Sequence, residues 1–128
     1  MDEDFTLILK KGTDILFSSK KKHLRPLIEC INHWREKIEG ARLYDKVVGL
    51  AAAKLIVYSG FATKVYTDVV SDKAGDYLAD NAVLVEPGKI VAKVMNDDKT
   101  RQCPMEKKAE ELGEDEFIGF CREHLGLK

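Results

Sequence analysis

Residues 45–58 read DKVVGLAAAKLIVY, and this stretch decides the fold that the sequence predicts. As a helix it is apolar on nearly every side except at Lys46 and Lys54, which is typical of a helix buried on all sides. Asp45 is a good N-cap residue, because its carboxylate can accept hydrogen bonds from the free N–H groups of a first turn. We therefore predict a central buried helix that begins just after Asp45.

The small residues of this helix let other groups approach it closely. Gly49 costs about 1 kcal/mol of helix propensity relative to alanine, so a reason for its presence is expected. Two explanations stay open: another segment packs closely against the helix, or a ligand lies against its start.

Extended segments surround the central helix on both sides in the sequence. Residues 5–9 and 14–18 predict a β-hairpin, and residues 64–70, KVYTDVV, have the β-branched content of a central strand. Residues 83–86 and 90–95 are joined by EPGK, in which proline followed by glycine predicts a type II turn and therefore an antiparallel pair.

Other helices complete the chain. A stripe of apolar residues predicts a helix over 26–39, and Ser71 is a good cap for a helix that ends near Asn81. Pro104 begins another helix, which ends near Gly113 and is followed by a last one. The 128 residues fit one domain, 1–128, of the α/β class: three layers, with a mixed five-stranded sheet flanked by helices.

The composition narrows the possible partners. With 21 basic and 22 acidic side chains the formal charge is −1, so we expect no general attraction to nucleic acid or to an anionic membrane. Three cysteines without a CxxC pair argue against a disulfide framework and a tetrathiolate zinc site. We expect a cytoplasmic protein without a metal or another cofactor.

The segments DKVVGLAAAKL and CPMEK, with the opening hairpin, resemble a small prokaryotic family of uncharacterised proteins, a domain of unknown function. The resemblance covers nearly the whole chain. It implies a cytidine-deaminase-like fold, and it does not imply a reaction.

The zinc motifs of that fold are missing. Zinc deaminases need a His or Cys followed two residues later by Glu at the buried helix, and PCxxC at the start of the next one. Here the buried helix begins VVGL, residues 47–50, and the turn after the central strand reads VSDKA, residues 70–74. We therefore do not expect a zinc-dependent deaminase, and whether the chain is an enzyme stays open.

The resembling fold also implies a place for a ligand. In its layout the starts of the two central helices converge at one edge of the sheet, where their N–H groups and dipoles can hold an anionic or polar molecule. This predicts a small nucleotide-like or phosphorylated ligand bound by Asp45, Lys46, Gly49 and Ser71. As a cap, Asp45 would compete with such an anion. The run KKKH, residues 20–23, either adds positive charge for a phosphate or is a solvated loop.

Cys103 stands where a helix cap is expected. With Pro104 at the first helical position and Glu106 at the third, the segment has the layout of a capping box in which a thiol replaces the usual hydroxyl. A thiol is a poor cap, which favours chemistry at Cys103, as a nucleophile or a covalent attachment point; a purely structural cap is the alternative. Activation would need a nearby cation such as Lys99, Arg101 or Lys107.

The position of Cys103 depends on the loop before it. An antiparallel last strand would leave this residue at the opposite end of the sheet from the helix starts. Residues 96–102 could return about 20 Å, so Cys103 and Glu106 are our candidate catalytic residues if the loop does return.

A second hypothesis is a structural or oligomer-forming interaction domain without catalytic activity. A homodimer could form through the sheet edge or through the surface helix that carries Trp34, since tryptophan is a common anchor at interfaces.

Overall fold

The computed structural model of the chain describes residues 5–95 and 103–128. Its strands in this part are β1 (Leu7–Lys11), β2 (Asp14–Ser19), β3 (Ala41–Asp45), β4 (Val47–Val48), β5 (Ala62–Ser71) and β6 (Leu84–Val91). Its helices are α1 (Arg25–Trp34), α2 (Leu50–Ser59), α3 (Asp72–Asp80), α4 (Pro104–Glu111) and α5 (Glu114–His124).

The sheet is mixed, as the sequence predicts. β2 and β1 form the predicted antiparallel hairpin, and β1 is also antiparallel to β3. β5 is the predicted central strand: it is parallel to β3 and to the short β4 on one side and to β6 on the other. Counting β4, the described residues form six strands rather than the expected five.

Three helical connections join parallel strands, from β2 to β3, from β4 to β5 and from β5 to β6, and each leads toward the β6 edge of the sheet. These connections pass through α1, α2 and α3, and right-handed connections of this kind place their helices on one face of the sheet. α4 and α5 pack on α2, which makes contacts with all four other helices. The layers are therefore the sheet, then α1 to α3, then α4 and α5. No helix within the described ranges is long and apolar enough to cross a membrane.

The burial of α2 is confirmed. Eight of its ten residues are buried, and the other two, Val57 and Tyr58, are half-buried. Its N-cap, however, is Gly49 and not Asp45, which is the last residue of β3. The prediction was wrong because β3 was missed: helix α1 ends at Trp34, well before residue 39, and the chain then returns as a strand whose outward positions carry charged or polar groups.

The predicted antiparallel pair around EPGK is also wrong. β6 runs straight through this segment, parallel to β5. Gly88 does not have the positive φ that a type II turn requires. Its lack of a side chain has another use, since a Cβ there would lie 2.9 Å from the Asp68 carbonyl oxygen of β5. Pro87 is tolerated because β6 is an edge strand.

Candidate functional site

A cleft of about 1530 Å³ opens beside the start of α2. The end of β3, the start of α4 and the connector between β2 and α1 form its other walls. The predicted site residues that line it are Asp45, Lys46, Gly49, Cys103 and Glu106. Residues from three distant parts of the sequence are thus brought together at one site.

The parallel direction of β6 explains how Cys103 reaches this cleft. Because β6 is parallel to β3 and β5, it ends at the edge of the sheet where α2 begins, so the expected separation does not exist. The Cys103 N–H donates a hydrogen bond to the Val94 carbonyl at 3.3 Å, which holds the start of α4 close to the end of β6. Residues 96–102, including the cations Lys99 and Arg101 considered for activation of the thiol, lie outside the described residues.

Cys103 is the N-cap of α4 and Pro104 follows it, as predicted. Its side chain makes no capping hydrogen bond, and it is half-buried in the wall of the cleft. Its expected partner in a capping box, Glu106, points elsewhere. The thiol therefore does not act as a cap, and its side chain is left beside the cleft.

Glu106 caps α2 instead of its own helix. Its Oε2 accepts a hydrogen bond from the Leu50 N–H at 2.7 Å, and its Oε1 accepts one from the Ala51 N–H at 2.9 Å. Gly49 makes this approach possible, because a Cβ at that position would lie 2.4 Å from Oε1. Of the two explanations for Gly49, close packing of another segment is the one the geometry supports.

The buried carboxylate of Glu106 faces opposing influences. Burial raises its pKa, while the hydrogen bonds from Ala51 and Leu50 lower it and nearby Glu110 raises it. The helix dipole also favours a negative charge at this end of α2. Because Glu106 already occupies these two N–H groups, they are not open to an anionic ligand.

Lys54 provides the corresponding contact at the other end of α4. Its Nζ donates to the Ala109 carbonyl at 2.6 Å and to the Leu112 carbonyl at 3.0 Å, where α4 ends. Burial lowers the pKa of Lys54. In the sequence Lys54 stands out only as an interruption of an apolar helix, and a lysine within an otherwise buried helix is the signal that could have indicated this contact.

Asp45 differs from both of these charged residues. It is 8% exposed, and within residues 5–95 and 103–128 its carboxyl group has no hydrogen-bond or ion-pair partner. Burial raises the pKa of Asp45 to about 8. Its charge also contributes, after burial itself, to raising the pKa of Cys30 to about 12. A buried carboxyl group without a partner therefore lines the cleft.

Ser71 lies away from the cleft. As predicted, it caps α3, and its Oγ accepts a hydrogen bond from the Ala74 N–H at 3.2 Å. It does not line the cleft formed by the other predicted site residues. The start of α3 is therefore closed by its own cap, and the predicted joint site at two helix starts is reduced to the start of α2.

The rim of the cleft is basic. Lys21, Lys22, Arg25 and Lys46 line it, and Lys21 forms an ion pair with Glu29 at 2.8 Å. Three residues of the run KKKH, Lys21, Lys22 and His23, therefore line the candidate site, where they are exposed.

Metal ligands do not cluster in the described part of the chain. No group of three or more His, Cys, Asp or Glu side chains there could hold a metal ion. Cys121 and His124 lie three residues apart on α5, a spacing that can suit two metal ligands, but Cys121 is buried whereas His124 is exposed, so the two side chains do not face one point. The start of α2 carries the Glu106 carboxylate from α4 and no metal-ligand cluster of the described residues.

Comparisons with known proteins agree with an uncharacterised family. Residues 1–123 match the family described as a domain of unknown function (DUF1893). Among solved structures the chain is similar to TM1506, a DUF1893 family protein from Thermotoga maritima, with 24% sequence identity and a TM-score of 0.85. The similarity covers 94% of this chain and 81% of that chain, and at this identity it shows the fold alone.

The search of the curated proteins gives no match. The resemblance noted in the sequence, to an uncharacterised family, is confirmed by the match over nearly the whole length. The chain therefore belongs to the DUF1893 family of uncharacterised proteins.

Proposed function

We propose that the chain binds a small nucleotide-like or phosphorylated molecule in the cleft beside the start of α2. The observation that carries this proposal is Asp45, a carboxyl group that is buried in the wall of the cleft without a partner among the described residues. The carboxyl oxygens of Asp45 are accessible from the cleft, since Trp34 Nε1 is the fully buried side-chain atom that lacks a partner among the described residues. A ligand in the cleft can therefore form the hydrogen bond to Asp45 that no described protein group supplies.

The protonation of Asp45 suits a polar ligand rather than an anion. Because burial raises its pKa to about 8, Asp45 is mostly protonated at pH 7, and it can then both donate and accept a hydrogen bond. The edge of a nucleobase offers a donor beside an acceptor, and such an edge matches this group. A phosphate would be repelled by an ionised Asp45 and belongs at the basic rim.

We also propose that the fold is cytidine-deaminase-like. An opening hairpin followed by β3, α2, β5, α3 and β6, with a cleft at the start of a fully buried α2, is the layout expected of a cytidine-deaminase-like domain. In this version of the layout Glu106 replaces the metal centre as the group that occupies the start of the helix. The protein then acts in the cytoplasm, where its three unpaired cysteines stay reduced.

Thermal unfolding with a panel of nucleosides, nucleotides and sugar phosphates tests the binding. A compound present at 100 times its Kd stabilises the folded protein by about 2.7 kcal/mol, which shifts the melting temperature by several degrees. We expect such a shift for the unchanged protein and its loss in Asp45→Ala, which removes both hydrogen-bonding groups. A panel without any shift, or shifts that survive Asp45→Ala, would contradict the proposal.

If the protein is an enzyme, we propose that the thiol of Cys103 reacts with the bound molecule. Cys30 and Cys121 are buried, and burial raises their pKa to about 12 and about 11, so faster labelling of Cys103 follows from exposure alone. The informative measurement is protection: a stabilising compound from the panel should slow the reaction of Cys103 with iodoacetamide. A labelling rate that is unchanged with that compound bound would show that the thiol lies outside the binding site.

A structural role is the second candidate, favoured by one observation. The edge strand β6 carries two exposed apolar side chains, Leu84 at 68% and Ile90 at 61%, on a strand with one free edge. If β6 joins two copies into a homodimer, light scattering will give twice the mass of 14.4 kDa, and Leu84→Lys with Ile90→Lys will return it to the monomer. A monomer at all concentrations would exclude this role.

A further inference from the structure

We propose that the start of α1 binds the phosphate group of the ligand in the cleft, which makes that ligand a phosphomonoester with a polar head, of the nucleoside monophosphate class. This inference rests on the proposed function and adds the position of the phosphate. The starts of α2 and α3 are already occupied by Glu106 and Ser71. The start of α1 has neither a side-chain cap nor an acidic residue in its first turn.

Among the described residues, the backbone N–H groups at the start of α1 have no hydrogen-bond acceptor. The first hydrogen bond of the helix runs from the Ile28 N–H to the Leu24 carbonyl at 3.0 Å, so the N–H groups of Leu24, Arg25 and Leu27 precede the helical ladder. His23 has a left-handed backbone with φ 64°, and Leu24 is right-handed. Successive residues of opposite hand turn their N–H groups toward one side, which is a common anion-binding arrangement.

Three of the cations around this helix start have no ion-pair partner among the described residues. Lys22 and Arg25 are exposed on the rim of the cleft together with Lys46, and none of the three forms an ion pair in the described ranges. Cations beside the positive end of a helix dipole are unfavourable unless an anion is present. A phosphate at this place would satisfy the free N–H groups and neutralise these side chains together.

Asp45 provides an independent indication that a ligand enters this cleft and fixes its orientation. It lines the same cleft, is more than nine-tenths buried and has no partner among the residues that the structure describes. The carboxyl groups of Asp45 and Glu106 lie at the end of the cleft formed by β3 and the start of α2, whereas Lys22 and Arg25 lie at the end formed by the start of α1. A molecule with an uncharged polar head and a phosphate matches both ends, with its head at Asp45.

Calorimetric titration of the full chain with AMP, GMP, CMP and UMP, with the four nucleosides and with inorganic phosphate tests the assignment. We expect at least one nucleotide to bind at least tenfold more tightly than its nucleoside. Arg25→Glu should remove this difference and leave the nucleoside affinity within twofold. The variant should fold, because an acidic residue in a first turn favours the helix. Lys89→Glu on the exposed part of β6 is the control with the same change of charge, and it should bind as the unchanged protein does.

The outcomes separate this inference from the proposed function. Nucleosides that bind as tightly as their nucleotides, with binding that is lost in Asp45→Ala, would overturn the phosphate position and leave the cleft as a binding site. A nucleotide that still binds at least tenfold more tightly than its nucleoside in both Arg25→Glu and Lys22→Ala would also overturn it. If none of the four nucleotides binds, the ligand class is wrong, and the thermal-shift panel then decides whether the cleft binds another molecule.

Discussion

The carboxyl group of Asp45 is buried in the wall of the cleft and has no partner among the described residues, so its ionisation opposes folding. The unfolded chain has an Asp pKa of about 3.9, and the folded chain raises it to about 8. Between these values the folded state binds more protons than the unfolded state. The contribution of Asp45 to stability is therefore fully present below about pH 4 and is lost as the pH rises through about 8.

The first prediction concerns this dependence on pH. Asp45→Asn removes the titrating group, so the variant should exceed the unchanged protein in free energy of unfolding by about 2 to 4 kcal/mol at pH 8, with a smaller difference at pH 4. Urea unfolding at pH 4, 6 and 8 measures it. Asp76→Asn, on the exposed side of α3, is the control. Parallel pH curves for Asp45→Asn and the unchanged protein would show that Asp45 does not titrate in this range.

The second prediction concerns Gly49. In Gly49→Ala the new Cβ would meet the Glu106 carboxylate at 2.4 Å, so Glu106 must leave the start of α2 or the two helices must separate. We expect a loss of about 2 kcal/mol or more in urea unfolding. Gly119→Ala is the control, because a Cβ there has no neighbouring atom within 4 Å and alanine favours the helix.

A double variant shows whether the contact with Glu106 causes the loss of stability in Gly49→Ala. In a Glu106→Ala background the clash is removed, so adding Gly49→Ala should have a much smaller effect than it has in the unchanged protein. Equal effects in both backgrounds would mean that Gly49 is required for another reason.

Among the elements, α2 and α4 each supply a charged side chain that caps one end of the other helix. Glu106 meets the first residues of α2, and Lys54, one turn further along α2, meets the last carbonyls of α4. The two helices therefore run in the same direction, in which neighbouring dipoles repel each other. A carboxylate at the positive end of one helix and an ammonium group at the negative end of the other oppose that repulsion.

The third prediction tests this pair of caps. Lys54→Met keeps the length of the side chain and leaves the carbonyls of Ala109 and Leu112 without their donor, so we expect a loss of about 2 to 4 kcal/mol in urea unfolding. Lys73→Met is the matched control, because its ion pair with Glu110 at 3.2 Å is exposed and contributes less than about 1 kcal/mol. Similar losses for the two variants would contradict the capping role of Lys54.

Some helices and strands could be predicted from local sequence patterns, and others could not. The apolar content of α2, the Ser71 cap and the hairpin are local patterns, and each predicted its element correctly. β3 was missed because its five residues, ARLYD, include two charged side chains and follow a helix that ends early. The segment EPGK has the composition of a turn, and only its position at the sheet edge makes it a strand.

At the scale of the whole molecule, α2 is the centre of the structure. The other helices surround it, the sheet lies beneath it, and its start is capped by a residue more than fifty positions away in the sequence. The fourth prediction is that the amide hydrogens of α2 exchange last in native-state hydrogen exchange, with the free energy of global unfolding. Exchange of α2 before the edge strand β6 would contradict this arrangement of the core.

The candidate site could be predicted from the sequence only in part. Cys103 and Glu106 were identified by the local cap pattern, and Asp45, Lys46 and Gly49 by the helix start at which the resembling fold implies a ligand. The structure does bring these five residues to one cleft. Their geometric roles were not predictable, because Glu106 accepts hydrogen bonds from Leu50 and Ala51, which are more than fifty positions away in the sequence. No local pattern shows such a contact. Ser71 satisfied the same local rules, yet it lies elsewhere.

The exchange of caps between α2 and α4 has a consequence for the order of synthesis. α2 leaves the ribosome about fifty residues before Glu106 does, so an apolar helix is made well before the carboxylate that completes its first turn and the two helices that cover it. Until α4 and α5 emerge, this helix exposes apolar surface of the kind that makes unfinished chains aggregate and that chaperones bind. The C-terminal quarter of the chain therefore determines when the nascent protein becomes safe from aggregation.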